Sequence, residues 1–268
     1  MPTSLSADIS DFARRDFTFA GKTKPVLLIG ETGPAIIVIH EVYGFTPTLA
    51  RFCRWVADVG FRVYAPILLG TPDATNPERI SRGRILGLCV SREFTLLRAD
   101  RSSPIVDWLK PLAHQAHREC GGPGVGVIGM CLTGGFALSM AVDPVVLAPV
   151  LSQPGMPATK PAGLDISPHD LAAVKRRTES EGLEIQGYRF DGDPLCKGEK
   201  FATLRREFGD AFAGMEIPAS AGNPDSPLAK AGKPAHSVFT GDLIDAEGEI
   251  TRAAVDEVIG FFKRALGG

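Results

Sequence analysis

The chain has 268 residues, of which 44% are hydrophobic and 22% are charged, a composition typical of a globular protein with enough apolar surface to close a core. Its 29 basic and 31 acidic residues give a formal charge of -2, so it has no broad positive field with which to bind a nucleic acid or an anionic membrane. This length fits one α/β domain, and we predict a single domain over residues 1–268.

The N-terminal segment, residues 1–30, has acidic residues and an arginine pair where an export signal would need an uninterrupted apolar stretch. It ends in the apolar run PVLLI, which predicts a strand. No apolar run in the sequence approaches the roughly 20 residues that a membrane-spanning helix needs. The five cysteines form no CxxC pair, as is typical of free thiols in a reducing compartment. We therefore expect a cytoplasmic protein.

Strand-like and helix-like stretches alternate along the rest of the chain. Apolar runs predict strands at residues 35–40, 61–66, 125–129, 145–151, 184–190 and 212–217. Apolar residues at helical spacing predict helices at residues 49–60, 103–120 and 251–266. Strands that are apolar on both faces are typical of parallel sheets covered by helices. We predict a doubly wound, mostly parallel α/β sheet with helices on both faces and functional loops beyond the carboxyl ends of its strands.

Two segments rich in Pro, Gly, Ser and Ala interrupt this alternation, residues 152–183 and residues 218–235. Strand or helix signal resumes after each of them, so neither is interpreted as a domain boundary. We predict that both are irregular loops close to the functional site.

The most informative stretch is VGVIGMCLTGGFALSMA, in which a buried strand runs directly into a helix with Cys131 at the junction. Gly129 leaves room for the strand and the helix to approach each other, and the helix N-terminus favours a thiolate. The N–H of Leu132 can face a developing oxyanion. The alternative is that Cys131 is a small apolar core residue, which is common for a free cysteine. The first interpretation makes this turn the nucleophile elbow of an α/β-hydrolase fold.

Two histidines follow Cys131 in the sequence, His169 and His236. In α/β-hydrolases the catalytic residues come in the order nucleophile, acid, histidine. His169 follows Pro168 at a predicted helix start, and that position explains it better than a role as base. His236 follows the loop of residues 218–235, so we favour it as the general base.

Two aspartates in EIQGYRFDGDP can supply the acid, Asp191 and Asp193. Asp193 precedes Pro194 and lies further into the loop, where its carboxylate can leave the sheet edge and meet the imidazole. We favour Asp193, and formation of a turn is the alternative role for either aspartate.

Three ordered segments resemble the dienelactone hydrolase family, also called carboxymethylenebutenolidases. GMCLTGG resembles the family's Gly-x-Cys-x-Gly-Gly elbow, and AHSVF resembles its histidine segment. IVIHEVYGFTPTLARFCRWVADVGFRVYAPIL resembles its strand, turn, helix and next strand. The similarity spans roughly residues 34–265. It implies a Cys-His-Asp triad that uses no metal and no organic cofactor.

The resemblance also implies roles for residues around the triad. Glu41 is expected to contact the thiol and help to generate the thiolate when substrate binds, and Val42 to supply the second oxyanion N–H. Candidates for substrate binding are Tyr43, Arg92 and Ser237.

Two positions depart from the family pattern. Thr133 stands where the elbow usually has glycine, so the close approach of the helix must be accommodated differently. Thr240 stands where the family has an arginine that holds a substrate carboxylate, which makes dienelactone itself doubtful as the substrate.

We predict a hydrolase that opens lactone or small carboxylic ester bonds through a thioester acyl-enzyme. One alternative is a carboxylesterase or thioesterase of unrelated substrate range. Another is a non-catalytic, hydrolase-like protein that binds a ligand or senses oxidants, with Cys196 as a resolving thiol for Cys131. The expected partner is a small-molecule ester or lactone, with no nucleic acid and no membrane, and the protein is expected to be a monomer or homodimer.

Overall fold

The computed structural model describes residues 9–71, 100–157 and 159–267. Eight strands of these residues form one sheet: β1 (Ala13–Phe19), β2 (Lys22–Ile29), β3 (Ala35–Ile39), β4 (Arg62–Pro66), β5 (Val125–Met130), β6 (Val146–Ser152), β7 (Ile185–Phe190) and β8 (Phe212–Ile217). The α-helices in the same ranges are α1 (Pro47–Asp58), α2 (Val106–Cys120), α3 (Phe136–Met140), α4 (Pro168–Glu181), α5 (Gly198–Phe208), α6 (Pro227–Lys230) and α7 (Ile250–Leu266).

The strands lie in the order β1-β2-β4-β3-β5-β6-β7-β8. The pairs β1 with β2 and β2 with β4 are antiparallel, and every later pair is parallel. After β4 the chain crosses back past β3 to form β5, and β6, β7 and β8 follow in order on that side. This is the pattern of a doubly wound sheet. The predicted mostly parallel sheet is therefore confirmed.

Successive side chains of the buried strands enter two apolar clusters, one on each face of the sheet. In β3, Ile36 and Val38 pack into the cluster covered by α1 and α7, whereas Ile37 and Ile39 pack into the cluster covered by α2, α3, α4 and α5. Helices thus cover both faces, as the all-apolar strands predicted. Among the described helices, none has the length and apolar character needed to cross a membrane.

The prediction of an irregular segment over residues 152–183 was partly wrong, because α4 occupies its second half. The helix has clear local signals at its start. Ser167 caps it by accepting a hydrogen bond from the N–H of Asp170 at 3.1 Å, and Pro168 fixes φ in the first turn. Gly182 ends it in the left-handed conformation. The other segment, residues 218–235, is irregular apart from a 3₁₀ turn (Ala219–Ala221) and the single turn of α6.

Candidate active site

The predicted site residues lie in loops at the carboxyl edge of the parallel strands. Glu41 follows β3, Cys131 follows β5, Asp193 follows β7, and His236 lies in the segment between β8 and α7. All four side chains are buried. Loops at this edge converge because the carboxyl ends of parallel strands point the same way.

Cys131 lies on a strained turn between β5 and α3. Its φ is +55°, a left-handed value that is costly for a residue with a Cβ, and it begins a 3₁₀ turn (Cys131–Thr133). Gly129 makes the tight return possible, since a Cβ there would lie 2.1 Å from the carbonyl oxygen of Thr133. This geometry holds the cysteine at the edge of the sheet, and its side chain retains 6% exposure.

The structure shows how threonine is accommodated at position 133. Its hydroxyl oxygen accepts a hydrogen bond from the N–H of Met130 at 3.0 Å and lies 3.1 Å from the carbonyl oxygens of Ile39 and His40. Thr133 thereby joins the end of β5 to the end of β3. The close approach falls on Gly134, where a Cβ would lie 2.6 Å from Cα of Pro154.

The imidazole of His236 is paired with Asp193. Its Nδ1 lies 2.7 Å from Oδ2 of Asp193, whose Oδ1 accepts a hydrogen bond from the N–H of Leu195 at 2.8 Å. Asp191 lies exposed in the same loop and accepts a hydrogen bond from the N–H of Ala219 at 2.8 Å. Of the two aspartates that the sequence left open, the structure therefore brings Asp193 to the histidine.

The other downstream histidine, His169, is placed away from this pair. Its side chain is 88% exposed at the start of α4. A base that must take a proton from a buried thiol cannot act from such a position.

The protonation of His236 is governed by its neighbours. Burial lowers its pKa, but the nearby Cys131 and the hydrogen bond with Asp193 outweigh burial, and the pKa lies well above its ordinary value. The Nε2 atom makes no hydrogen bond of good geometry within the described residues. The sulfur of Cys131 and the carboxylate of Asp193 thus favour the protonated form of the His236 imidazole.

Asp242 supports the histidine backbone and was missed by the sequence interpretation. Its Oδ2 accepts hydrogen bonds from the N–H groups of His236 and Ser237, at 2.8 and 2.9 Å. Its only sequence signal is an aspartate in a Thr-Gly-Asp turn shortly after the histidine. Such turns are common, so the signal is weak.

The carboxylate of Glu41 faces the histidine segment. Its Oε2 accepts a hydrogen bond from the hydroxyl of Ser237 at 2.8 Å, and its Oε1 accepts from Thr240 at 2.5 Å and from the side-chain amide of Gln153 at 3.2 Å. Thr240 is buried, so this position holds a short donor to Glu41 rather than a side chain that reaches out to a substrate. Gln153 was not found from the sequence.

A third missed residue, His40, fixes the turn that carries Glu41. Its Nδ1 lies 2.6 Å from the backbone oxygen of Glu41, so Nδ1 carries the proton. Its Nε2 accepts hydrogen bonds from the N–H groups of Leu68 and Leu69, at 2.9 and 3.2 Å. The ring is neutral, fully buried and structural.

The remaining predicted residues surround the elbow and a neighbouring cleft. Val42 follows β3, which pairs with β5, so its turn adjoins that of Leu132. The cleft is lined by Glu41, Tyr43, Gly44, Thr46, Thr48, Leu49, Pro227, Leu228, Ser237, Thr240, Gly241 and Asp242. Cys131 is not part of this lining.

Arg92 lies outside the described residues. Within the described ranges, no group of three or more His, Cys, Asp or Glu side chains is arranged to hold a metal.

A second buried charged cluster lies on the α3 side of the elbow. Burial raises the pKa of Asp165 to about 7, against the opposing charge of Lys200, and neither carboxyl oxygen has a hydrogen-bond partner among the described residues. Burial lowers the pKa of Lys200 to about 8, and its Nζ donates to the carbonyl oxygens of Met156 and Gly163 at 2.7 and 2.6 Å. Lys200 thus holds the loop that follows β6.

Cys196 lies in the neighbourhood of Cys131 and is fully buried. Burial raises the pKa of the Cys196 thiol far above its usual value. A buried thiol that keeps its proton is a poor attacking group for disulfide formation. This placement weighs against Cys196 as a resolving thiol.

Comparison with known proteins adds independent findings. Residues 23–166, more than half of the chain, match the model of the dienelactone hydrolase family. A carboxymethylenebutenolidase from Pseudomonas sp. is 29% identical over 115 residues, which cover 41% of this chain and 45% of that protein. The match thus spans less than half the length of this curated relative.

Solved structures share the fold over nearly the whole chain. A dienelactone hydrolase-like promiscuous phosphotriesterase from metagenomic libraries has a TM-score of 0.65 at 17% identity, covering 96% of this chain and 98% of that one. An α/β serine hydrolase without a lid from Xanthomonas campestris has a TM-score of 0.55 at 8% identity, covering 98% of both chains. At such identities the likeness shows the fold alone, which is the α/β-hydrolase fold.

Proposed function

Because the chain belongs to the dienelactone hydrolase family, we propose that it hydrolyses lactones or small carboxylic esters by covalent catalysis at Cys131. One observation carries this proposal. A cysteine in left-handed conformation on a strand-to-helix turn lies near a buried histidine, and that histidine is paired with an aspartate at 2.7 Å. Nucleophile, base and orienting acid are the three parts that acyl transfer to a side chain requires.

In the first half of the reaction, His236 takes the proton of the Cys131 thiol through Nε2. The sulfur attacks the carbonyl carbon of the ester, a carbon–sulfur bond forms, and the carbonyl electron pair moves onto oxygen. The N–H groups of Leu132 and Val42 stabilise this oxyanion. Asp193 keeps the proton of His236 on Nδ1, so that Nε2 faces the reaction.

In the second half, the carbon–oxygen bond to the leaving alkoxide breaks, and His236 gives its proton to that oxygen. For a lactone the freed alcohol stays attached to the acyl group. The thioester on Cys131 then reacts with a water molecule that His236 deprotonates. The carbon–sulfur bond breaks, the carboxylic acid leaves, and the thiol is restored.

Glu41 is proposed to assist formation of the thiolate when substrate binds. Two observations support a functional rather than a solvated role. Its carboxylate is buried, and it shares a polar cluster with Ser237, the residue that follows the catalytic base. To meet the thiol it must exchange its present contacts with Ser237 and Thr240 for one with sulfur. Tyr43 and Ser237 remain candidates for contacts with substrate, and a cytoplasmic monomer or homodimer remains a prediction.

The decisive experiment compares Cys131→Ala with Cys53→Ala on a panel of lactones and aryl esters. Cys53 is a buried free cysteine on α1 and serves as the matched control. We expect Cys131→Ala to lose about 1000-fold or more in kcat/KM, as loss of a nucleophile does, and Cys53→Ala to retain its activity. Mass spectrometry of the wild-type protein quenched during turnover should show the acyl group on Cys131. Full hydrolysis of the panel by Cys131→Ala would rule out the mechanism.

A further inference from the structure

Gln153 has an unusual backbone and a fully buried side chain. It follows β6, its φ is +32°, and its exposed fraction is 0%. Its backbone N–H donates to the carbonyl oxygen of Tyr188 at 2.6 Å, which holds the strained conformation in place. A left-handed, buried, non-glycine residue in a loop at the carboxyl edge of the sheet is where strain marks a functional constraint.

The side-chain amide of Gln153 joins two loops that both serve the proposed reaction. Its Nε2 donates to Oε1 of Glu41 at 3.2 Å, and its Oε1 accepts from the N–H of Val238 at 3.4 Å and from the hydroxyl of Ser152. The orientation of the amide follows from Val238, whose backbone N–H can only donate and therefore faces the amide oxygen. Gln153 therefore ties the turn after β3 to the histidine segment.

We propose that Gln153 is a positioning residue of the active site. By holding Glu41 it fixes the adjoining N–H of Val42, and by holding Val238 it fixes the segment that presents His236 to Cys131. This inference rests on the proposed hydrolase function. It adds a residue that acts through its neighbours and does not touch the reacting atoms.

Replacement of Gln153 by glutamate tests only the side-chain N–H donor that faces Glu41. In Gln153→Glu the oxygen that faces Val238 is kept, while the group that faces Glu41 changes from a donor to a carboxyl. Two carboxyls in contact share one proton, and their repulsion grows as that proton is lost. The other titratable groups on the surrounding elements are Cys131 on the elbow, His236 and Asp242 on the histidine segment, His40 before Glu41, and Tyr188 on β7.

We expect Gln153→Glu and Gln153→Met each to lower kcat/KM by about 100-fold at pH 8, the scale on which small misplacements of catalytic groups act. The ratio of Gln153→Glu to wild type should then rise as the pH falls toward 5, because the shared proton restores the hydrogen bond. The ratio for Gln153→Met should stay flat, since methionine cannot regain a donor. A purely structural role predicts no such difference between the two variants.

Gln186→Glu is the matched control. Gln186 is also a buried glutamine, 4% exposed, and its Nε2 donates to Oε1 of Glu257 at 3.1 Å. It lies on β7 and is joined to α7 through Glu257, and its Oε1 accepts a hydrogen bond from the hydroxyl of Tyr188 at 2.7 Å. We expect Gln186→Glu to lower the unfolding midpoint as Gln153→Glu does, but to keep a wild-type pH profile of kcat/KM.

A second measurement separates failure of this inference from failure of the proposed function. The rate of alkylation of Cys131 by iodoacetamide, corrected with Cys131→Ala, reports the thiolate and needs no turnover. We expect the pH profile of this rate to be altered in Gln153→Glu and unchanged in Gln186→Glu. If both Gln153 variants hydrolyse esters and are alkylated as wild type at every pH, the inference is wrong. If the wild-type protein hydrolyses no ester, the proposed function fails, and the alkylation profile alone decides on Gln153.

Discussion

Glu41 and Asp165 are two buried carboxylates that lie against the same elbow, with exposed fractions of 4% and 3%. Their surroundings differ. Glu41 receives hydrogen bonds from Gln153, Ser237 and Thr240. Asp165 has no hydrogen-bond partner for either oxygen among the described residues, and only the charge of Lys200 offsets its burial.

The two groups show that a carboxyl group can be buried with or without donors directed at its oxygens. Donors directed at the oxygens replace the water that burial removes, so they stabilise the ionised form. Without them the group retains its proton, and the pKa of Asp165 accordingly rises to about 7. The histidine side of the elbow thus holds a carboxylate with three donors, whereas the α3 side holds a carboxyl group whose pKa is about 7.

The largest effect is expected at Asp193, whose carboxylate orients the proposed base His236. In Asp193→Asn an amide replaces the acceptor for Nδ1 of His236, which selects the wrong tautomer. Loss of such an acid lowers kcat by about 10,000-fold in a serine protease triad, and we expect a loss of about 1000-fold or more here, measured as kcat/KM on an aryl ester. Asp191→Asn, in the same loop, is the control and should stay close to wild type. A larger loss in Asp191→Asn than in Asp193→Asn would assign the acid to the other aspartate.

The next effect concerns the stability that Glu41 supplies. In Glu41→Ala three donors lose their acceptor inside the protein, and each unpaired buried group costs about 1–3 kcal/mol unless water reaches it. We expect the free energy of unfolding, measured by urea denaturation, to fall by about 3 kcal/mol. Glu31→Ala, at an exposed loop position, should change it by less than about 0.5 kcal/mol. A decrease no larger than that of the control would show that the three contacts add nothing.

The opposite sign is expected for Asp165. Its pKa is about 7 in the folded chain against an ordinary value of 3.8, so the folded state binds more protons than the unfolded state between these values. Stability from this group therefore falls as the pH rises from about 4 to about 7. Asp165→Asn removes the cost of ionising a buried carboxyl group. We expect it to raise the free energy of unfolding by about 2 kcal/mol at pH 8 and by little near pH 4.

The measurement for Asp165 is chemical denaturation at both pH values. Asp58→Asn, at the exposed end of α1, provides the control and should show no gain at either pH. A stability loss in Asp165→Asn at pH 8 would mean that the attraction between Asp165 and Lys200 outweighs the cost of burial.

The smallest effect isolates one of the donors to Glu41. Thr240→Val keeps the shape of the side chain and removes its hydroxyl, so Glu41 loses one hydrogen bond. A hydrogen bond to a charged group contributes about 1.5 kcal/mol or more, and we expect a decrease of about 1.5 kcal/mol in the free energy of unfolding. Thr240→Ser keeps the donor and should recover most of this loss. Equal stability of the Val and Ser variants would contradict the role of the hydroxyl.

Features that depend on residues close together in the chain could be predicted from the sequence. The apolar runs gave the strands of the parallel sheet, and β8 begins and ends at the predicted residues. The elbow at Cys131 was predicted because Gly129, the apolar strand and the following helix lie within a few residues of one another. Local sequence suffices there, since backbone conformation and side-chain alternation are set over short distances. A helix start was predicted at Pro168, but the extent of α4 was not, because its apolar periodicity is weak.

The tertiary structure alone decided which polar groups meet. Glu41 and Thr240 are 199 residues apart in sequence, and Glu41 and Gln153 are 112 apart, so no local sequence pattern predicts their hydrogen bonds. Asp191 and Asp193 differ by two positions, yet only the path of their loop brings Asp193 to His236. The sequence by itself determined the strands of the sheet and the turn on which the proposed nucleophile lies. The order of the strands determined the partners, because a hydrogen bond across loops depends on distances that form only when the sheet is assembled.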